Sequence, residues 1–262
     1  MDVTNSVLDG RSVSEVATSA VKSVYSLVIL LVLWEVVGQL ELIHYYFLPP
    51  LSDVLGLFWE LTVTGEMLHH TYLTLKRAMS GLAIAIALGV PIGVLSARSR
   101  LVGWFFNPII AVGYPVPIIA LIPVFILWFG IGDVSKLLLV ALGTFWPVAV
   151  NARNSTQNVD ENLLWSARMM GTTDRRLFWK VVIPATIPEI LTGIRQAIPF
   201  AFISLISAEL IASEQGMGRL IRDAGSIGRY PAMFATIVII SAVAYTAVYG
   251  FEQIRERVLV WT

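Results

Sequence analysis

Long apolar blocks separated by short polar stretches constrain this chain more than any other feature. A helix needs about 20 apolar residues to cross the hydrocarbon core of a bilayer. Six blocks reach or approach that length: Val24 to Ile43, Met79 to Ala97, Trp104 to Phe129, Lys136 to Val150, Ile187 to Ala212 and Met233 to Phe251. In lipid, every backbone polar group needs a partner inside the protein, so such blocks are read as helices. The expectation is an all-α polytopic membrane protein with six transmembrane helices. Residues 1–22 form an N-terminal segment, 23–257 one transmembrane domain and 258–262 a tail. Only 14% of residues are charged, against about 25% in soluble domains.

Several function classes drop out at once. The formal net charge is zero, so no global electrostatic attraction to nucleic acid exists. The chain has no cysteine, which removes disulfides, thiolate chemistry and zinc–cysteine sites. The first 22 residues are polar and mixed in charge, unlike a secretory signal, so the first apolar block is expected to be retained. The three histidines, His44, His69 and His70, lack the carboxylate spacing of zinc proteases. They read as exposed interfacial residues. No Gly-x-Ser-x-Gly elbow marks a hydrolase. No catalytic residue and no metal site are expected.

Basic residues are more numerous in the loops on the side of the N-terminus, including Arg98, Arg100, Arg153, Arg168, Arg175, Arg176 and Lys180. The positive-inside rule then places both termini in the cytoplasm. Between the first two spans, Val54, Leu57, Phe58 and Leu61 recur at helical spacing after Pro49 and Pro50. Leu51 to Met67 therefore reads as an amphipathic helix lying at the interface.

Polar and broken places within the apolar blocks are candidates for a translocation path. The third span holds Pro115 and Pro117, and each proline removes a backbone donor. It is either a discontinuous helix beside the path or an ordinary kinked helix. The fifth span carries Arg195, Gln196, Ser204 and Glu209. Arg195, the one basic residue assigned inside a span, is a candidate contact for an anionic solute. Glu209 sits near the outer end as either a path residue or a solvated helix end. Glu35 is expected to make a hydrogen bond facing the bundle. The small residues Gly81, Ala85, Gly89 and Gly93 of the second span are expected to serve helix packing.

The polar segment from Asn151 to Pro184 is too patterned for a plain connector. Asp160 is placed to cap a helix bearing Leu163, Leu164, Ala167 and Met170, and Gly171 to end it. Thr172 or Thr173 is placed to cap a second short helix with Leu177, Phe178 and Val181, closed by Pro184. The result is two amphipathic helices with a glycine elbow, suited to docking in a groove of a soluble partner.

Within this segment, Trp165-Ser166-Ala167, three residues, Gly171, nine residues and Val181-Val182-Ile183-Pro184 resemble the cytoplasmic motif of permeases in binding-protein-dependent ABC importers. That motif reads Glu-Ala-Ala, then Gly, then Ile-x-Leu-Pro. Spacing is kept, while Trp165 and Ser166 replace Glu and Ala. The run Pro115 to Val148, with its Trp128-Phe129-Gly130-Ile131-Gly132 turn, and the later Ala208-Glu209 and Gly216-Met217-Gly218 are similar to the sulfonate, taurine, nitrate and bicarbonate permeases. The resemblance implies a type I ABC importer permease fold with a cytoplasmic coupling helix between helices 4 and 5. It implies that Trp165, Ser166, Ala167, Arg168, Gly171, Thr172 and Pro184 form the ATPase-coupling segment. It further implies two cytoplasmic ABC ATPase subunits carrying ATP and Mg, an extracytoplasmic solute-binding protein and a second permease copy in the inner membrane. The chain itself has no phosphate-binding loop and is expected to bind no cofactor. A permease for a thiamine-precursor pyrimidine and a secondary transporter without an ATPase are the alternative readings.

Overall fold

The structure, a computed structural model, describes residues 13–259. Residues 1–12 and 260–262, parts of the expected N-terminal segment and tail, lie outside it. Helices account for the regular structure among the described residues. They are α1 (Val13–Gln39), α2 (Leu51–Val63), α3 (Glu66–Arg98), α4 (Arg100–Gly113), α5 (Ile122–Phe129), α6 (Asp133–Gln157), α7 (Glu161–Met169), α8 (Asp174–Leu177), α9 (Ile183–Ile211), α10 (Met217–Ser226) and α11 (Tyr230–Val258). A 3-10 turn at Ile118–Leu121 leads into α5, and a π-helical turn at Phe178–Val182 joins α8 to α9.

Among the described residues, four helical runs are long and apolar enough to cross a membrane: the α3 run, α6, the continuous run Asp174–Ile211, and α11. The α4 and Ile118–Phe129 pair adds a fifth if its two halves, bent by 92°, count as one broken span. In α1 the described apolar stretch is Tyr25–Gln39, shorter than a span. The six expected blocks thus fall on α1, α3, the α4–α5 pair, α6, α9 and α11, of which four or five satisfy length and composition.

The core forms where α3, α6 and α9 pack together, with Ala78, Leu82, Val140, Val148, Ile194, Ile198 and Leu205 at its centre. Small residues on α3 make this approach possible. A Cβ on Gly81 would stand 2.6 Å from Val140 Cγ1, and one on Gly93 would stand 2.4 Å from the Ala149 carbonyl oxygen. Neither contact is sterically tolerable, so the stripe expected to serve packing does so. Backbones this close gain dispersion contacts that bulkier side chains would prevent.

At the edge of the bundle, α1 meets α2 through polar contacts. Glu35 accepts from the backbone N–H of Ser52 at 2.9 Å and from Gln39 at 3.0 Å. A carboxylate at the first turn of α2 is favourable against the unpaired N–H groups there. Glu35 therefore makes a hydrogen bond, but at the exposed edge with the first turn of α2 and not facing into the bundle. The Trp34 indole donates to the Pro49 carbonyl at 2.9 Å.

One further expectation is corrected. Pro184 does not close the second connector helix, because the chain runs on helically from Asp174 to Ile211. A proline ring normally clashes with the carbonyl four residues earlier. Here the π turn lets the N–H of Ile183 bond to Phe178, one residue further back, which widens the turn where Pro184 enters. Of the two readings of the third span, the discontinuous helix is the one found: its backbone turns by 92°.

Candidate functional site

The connector between α6 and α9 folds on its own small core. Val159, Leu164, Ala167, Leu177 and Val182 are buried together, with Phe178 and Val181 against them. Asp160 caps α7 by accepting from the N–H of Asn162 at 2.8 Å. At the other end, Gly171 adopts φ +78°. Its N–H bonds to the Arg168 carbonyl at 2.9 Å, and the N–H of Thr172 bonds to that of Ala167 at 3.2 Å. This is a Schellman closure, which needs a left-handed residue where Gly171 stands. Thr173 occupies the N-cap of α8 without a side-chain bond. Of the residues expected on the apolar face, Leu164 and Ala167 point inward, whereas Leu163 and Met170 are exposed. The outer face of α7 carries Trp165, 60% exposed, and Met169, 87% exposed. The Arg168 guanidinium lies 5.8 Å from the Trp165 ring centroid, within cation–π range.

A second region forms at the break between α4 and α5. Tyr114, Pro117, Trp146, Phe200, Ile203 and Ser204 are among the residues around a cavity of about 320 Å³. The chain can turn here because Pro115 cannot donate to the carbonyl one turn earlier. Gly113 then lets the Trp146 ring pack on the backbone, where a Cβ would stand 2.2 Å from the ring. Gly143 likewise makes room for Ser204 and Ile118. Among the described residues, no Asp, Glu, Lys, Arg or His lines this cavity.

A third region, at the opposite end of α6 and α9 from the connector, is a buried polar clamp. Glu209 is 0% exposed. Its carboxylate accepts from Arg77 at 2.9 Å, from Thr74 at 3.0 Å and from the N–H of Gly218 at 3.0 Å. Arg77 also reaches Asp133 at 2.6 Å and the Gln215 carbonyl at 2.9 Å. The N–H of Met217 donates to Thr74, and that of Gly216 donates to His70 Nδ1 at 2.9 Å. The loop from Ser213 to Gly218 is thereby wrapped around one carboxylate. Lys136, also buried, donates to the Ile131 and Gly132 carbonyls at 2.8 and 3.2 Å. A buried charge is tolerated when paired and fully hydrogen-bonded, as Glu209 is.

With these three regions defined, comparison with known proteins decides the family. The model of the family described as "Binding-protein-dependent transport system inner membrane component" matches residues 89–259. The chain belongs to this family. The permease is 33% identical over 246 residues to the taurine transport system permease protein of Escherichia coli (strain K12), covering 91% of this chain and 89% of that protein. It is 34% identical to the putative aliphatic sulfonates transport permease protein of Bacillus subtilis (strain 168), covering 89% of this chain and 84% of that one. The formylaminopyrimidine transport permease protein of Halalkalibacterium halodurans is 31% identical, with 88% and 92% covered. Among solved structures, the inward-facing methionine ABC transporter MetNI matches with a TM-score of 0.65 at 19% identity, over 75% of this chain and 98% of that chain. The fold is that of a type I ABC importer permease, a multi-pass membrane component.

The permease gathers some of the residues proposed for its path and separates others. Pro117 and Ser204 line the cavity at the α4–α5 break, and Pro115 sits in the turn beside it. Arg195 does not line it. Its guanidinium meets Glu252 of α11 at 3.1 Å, and Glu252 also takes Arg255 at 2.7 Å. Gln196 is exposed on the same helix. Arg195 is also not the one basic side chain within a span, because Arg77 and Lys136 lie within the α3 and α6 spans. Glu209 is neither a solvated helix end nor a cavity residue, and His70 is buried rather than exposed. Sequence reasoning overlooked the clamp partners. The available signal was His70, Thr74 and Arg77, spaced four and three apart, which places them on one face of α3.

Proposed function

We propose that this chain is the membrane-spanning subunit of an ATP-driven importer for a small organic solute, working with a second copy of itself. Two cytoplasmic ATPase subunits carry ATP and Mg and perform the hydrolysis. An extracytoplasmic binding protein delivers the solute. The observation that carries the reading is the connector: a folded two-helix element whose base is buried and whose outer face presents Trp165, Arg168, Met169 and Met170. Amphipathic helices of this kind fit a groove in a soluble partner. Coupling then runs through Trp165, Ser166, Arg168, Gly171 and Thr172, with Ala167 holding α7 to its base.

The connector end is read as cytoplasmic and the clamp end as extracytoplasmic. Support comes from how basic residues are used. At the clamp end Arg77, Lys136, Arg219 and Arg222 are engaged by carboxylates or carbonyls. At the connector end Arg175, Arg176 and Lys180 are exposed, as cytoplasmic loops require. The solute is read as an anionic sulfonate or a similar acid, in line with the taurine and sulfonate relatives. A thiamine-precursor pyrimidine is the second reading, favoured by the formylaminopyrimidine relative.

Copurification tests the assignment. The wild-type permease should bring down a stoichiometric ATPase subunit. Trp165→Ala combined with Met169→Ala should weaken that association while leaving the permease folded. Full retention of the ATPase by this variant and by Gly171→Asp would sink docking through the connector.

A further inference from the structure

We infer that the cavity at the α4–α5 break is a subsite for the uncharged, apolar body of the transported solute, and that it selects organic solutes over bare inorganic anions. The inference rests on the reading of this chain as an importer permease and adds to it a class of solute and a place.

Three observations carry it. The cavity, about 320 Å³, suits a small solute, and its walls are aromatic and aliphatic: Tyr114, Trp146, Phe200 and Ile203 beside Pro117. Among the described residues, no charged side chain lines it. An inorganic anion placed there would lose its hydration with no opposing charge to replace it, which is strongly unfavourable. An organic solute avoids that cost by leaving its charged group at the mouth and inserting its carbon skeleton. Finally, the wall is not wholly apolar. Ser204 is buried and sets its hydroxyl beside Gly143 and Ile118 in the cavity wall. The indole N–H of Trp146, sealed behind that wall, has no partner among the described residues. A lipid tail gains nothing from such groups. The bend itself argues against a bilayer-facing surface, because broken backbone at membrane depth persists only against protein or a water-filled cavity.

The absence of cysteine from this chain makes the test direct. Ser204→Cys places a single thiol in the cavity at nearly constant volume, and Ser226→Cys places one on the exposed surface of α10 as the control. The purified complex with its ATPase subunits, in nanodiscs, is treated with a small methanethiosulfonate reagent. Ethanesulfonate, butanesulfonate, hexanesulfonate or inorganic sulfate is added as the protecting solute. Butanesulfonate should slow labelling of Ser204→Cys several-fold and leave Ser226→Cys unchanged, while sulfate should protect neither. The half-protecting concentration should fall by up to about fourfold per added methylene until the cavity is full. Equal protection by sulfate, no protection by any alkanesulfonate, no reaction at Ser204→Cys, or quantitative cross-linking of Ser204→Cys between two copies would each overturn the subsite. Phe200→Cys, on the cavity wall, serves as the reporter if Ser204→Cys does not assemble. Copurification of the ATPase subunits with the same variants reports separately on the importer assignment, so loss of one reading leaves the other standing.

Discussion

Arg77 and Glu209 stand 132 residues apart in the chain and 2.9 Å apart in space. One side of the pair is completely buried, and Asp133, 66% exposed, holds the other side of the guanidinium from the rim. Removing one member leaves an uncompensated buried charge, which costs about 3–5 kcal/mol. Arg77→Ala and Glu209→Ala should each lower the melting temperature of the detergent-solubilised permease sharply. The double variant Arg77→Met with Glu209→Met should recover much of the loss, because it buries no unpaired charge. A strictly additive double-mutant cycle would show that the two side chains do not interact.

The loop over that carboxylate is built on glycines. A Cβ on Gly216 would stand 2.3 Å from Glu209 Cδ, at φ +119°, and one on Gly218 would stand 2.5 Å from Glu209 Cβ. Gly216→Ala and Gly218→Ala should both destabilise by more than 1 kcal/mol, since strain and overpacking are each of that order. Gly250→Ala is the contrast, because nothing lies within 4 Å of the added methyl. It should stabilise α11 by about 0.5–1 kcal/mol. Thermal melts of the three variants check the ranking.

At the connector, the positive φ of Gly171 has open space around it. Gly171→Ala should therefore cost about 1–2 kcal/mol of local conformational strain and no packing. Protease cleavage within residues 160–180 should accelerate in this variant while the melting temperature of the bundle stays put. Unchanged cleavage would mean that the left-handed turn does not hold the two short helices in place.

Asp223 on α10 yields a pH dependence. Partial burial raises its carboxyl pKa, but hydrogen bonding from Arg219 and the charges of Arg219 and Arg222 outweigh that and hold it below the usual value. A depressed carboxyl stabilises the fold above its unfolded value and ceases to as pH falls through its folded one. Hydrogen exchange of α10 should thus quicken below about pH 4. Asp223→Asn should abolish that acid step. An acid step of unchanged size in Asp223→Asn would assign it to another group.

The connector was legible in sequence because its determinants are local: a capping aspartate, helical spacing and a glycine, all within 12 residues from Asp160 to Gly171. The clamp was not, because Thr74 and Arg77 of α3 meet Glu209 of α9 only after the two helices pack, and Glu209 taken alone resembles any polar residue near a helix end. The third span lies between these cases. Pro115 and Pro117 announce a break, but the packing beside the 92° bend, where Trp146 seats against Gly113, joins two residues that no local pattern couples. Pro184 misled for a related reason: a proline reads as a stop unless a π turn precedes it, and five ordinary residues from Phe178 to Val182 give no sign of one.

The helical run from Asp174 to Ile211 spans 38 residues, about 57 Å at 1.5 Å per residue. One tip belongs to the connector and the other carries Glu209 next to the wrapped loop. If the connector docks a partner as proposed, a tilt imposed at its tip travels along this run toward the far tip, where Arg77, Thr74 and the Gly218 N–H hold Glu209. The irregular element on that route is the π turn at Phe178–Val182, next to the connector. Stiffening that turn should tighten the transmission between the two faces of the membrane, and loosening it should let the connector move while the far end stays still.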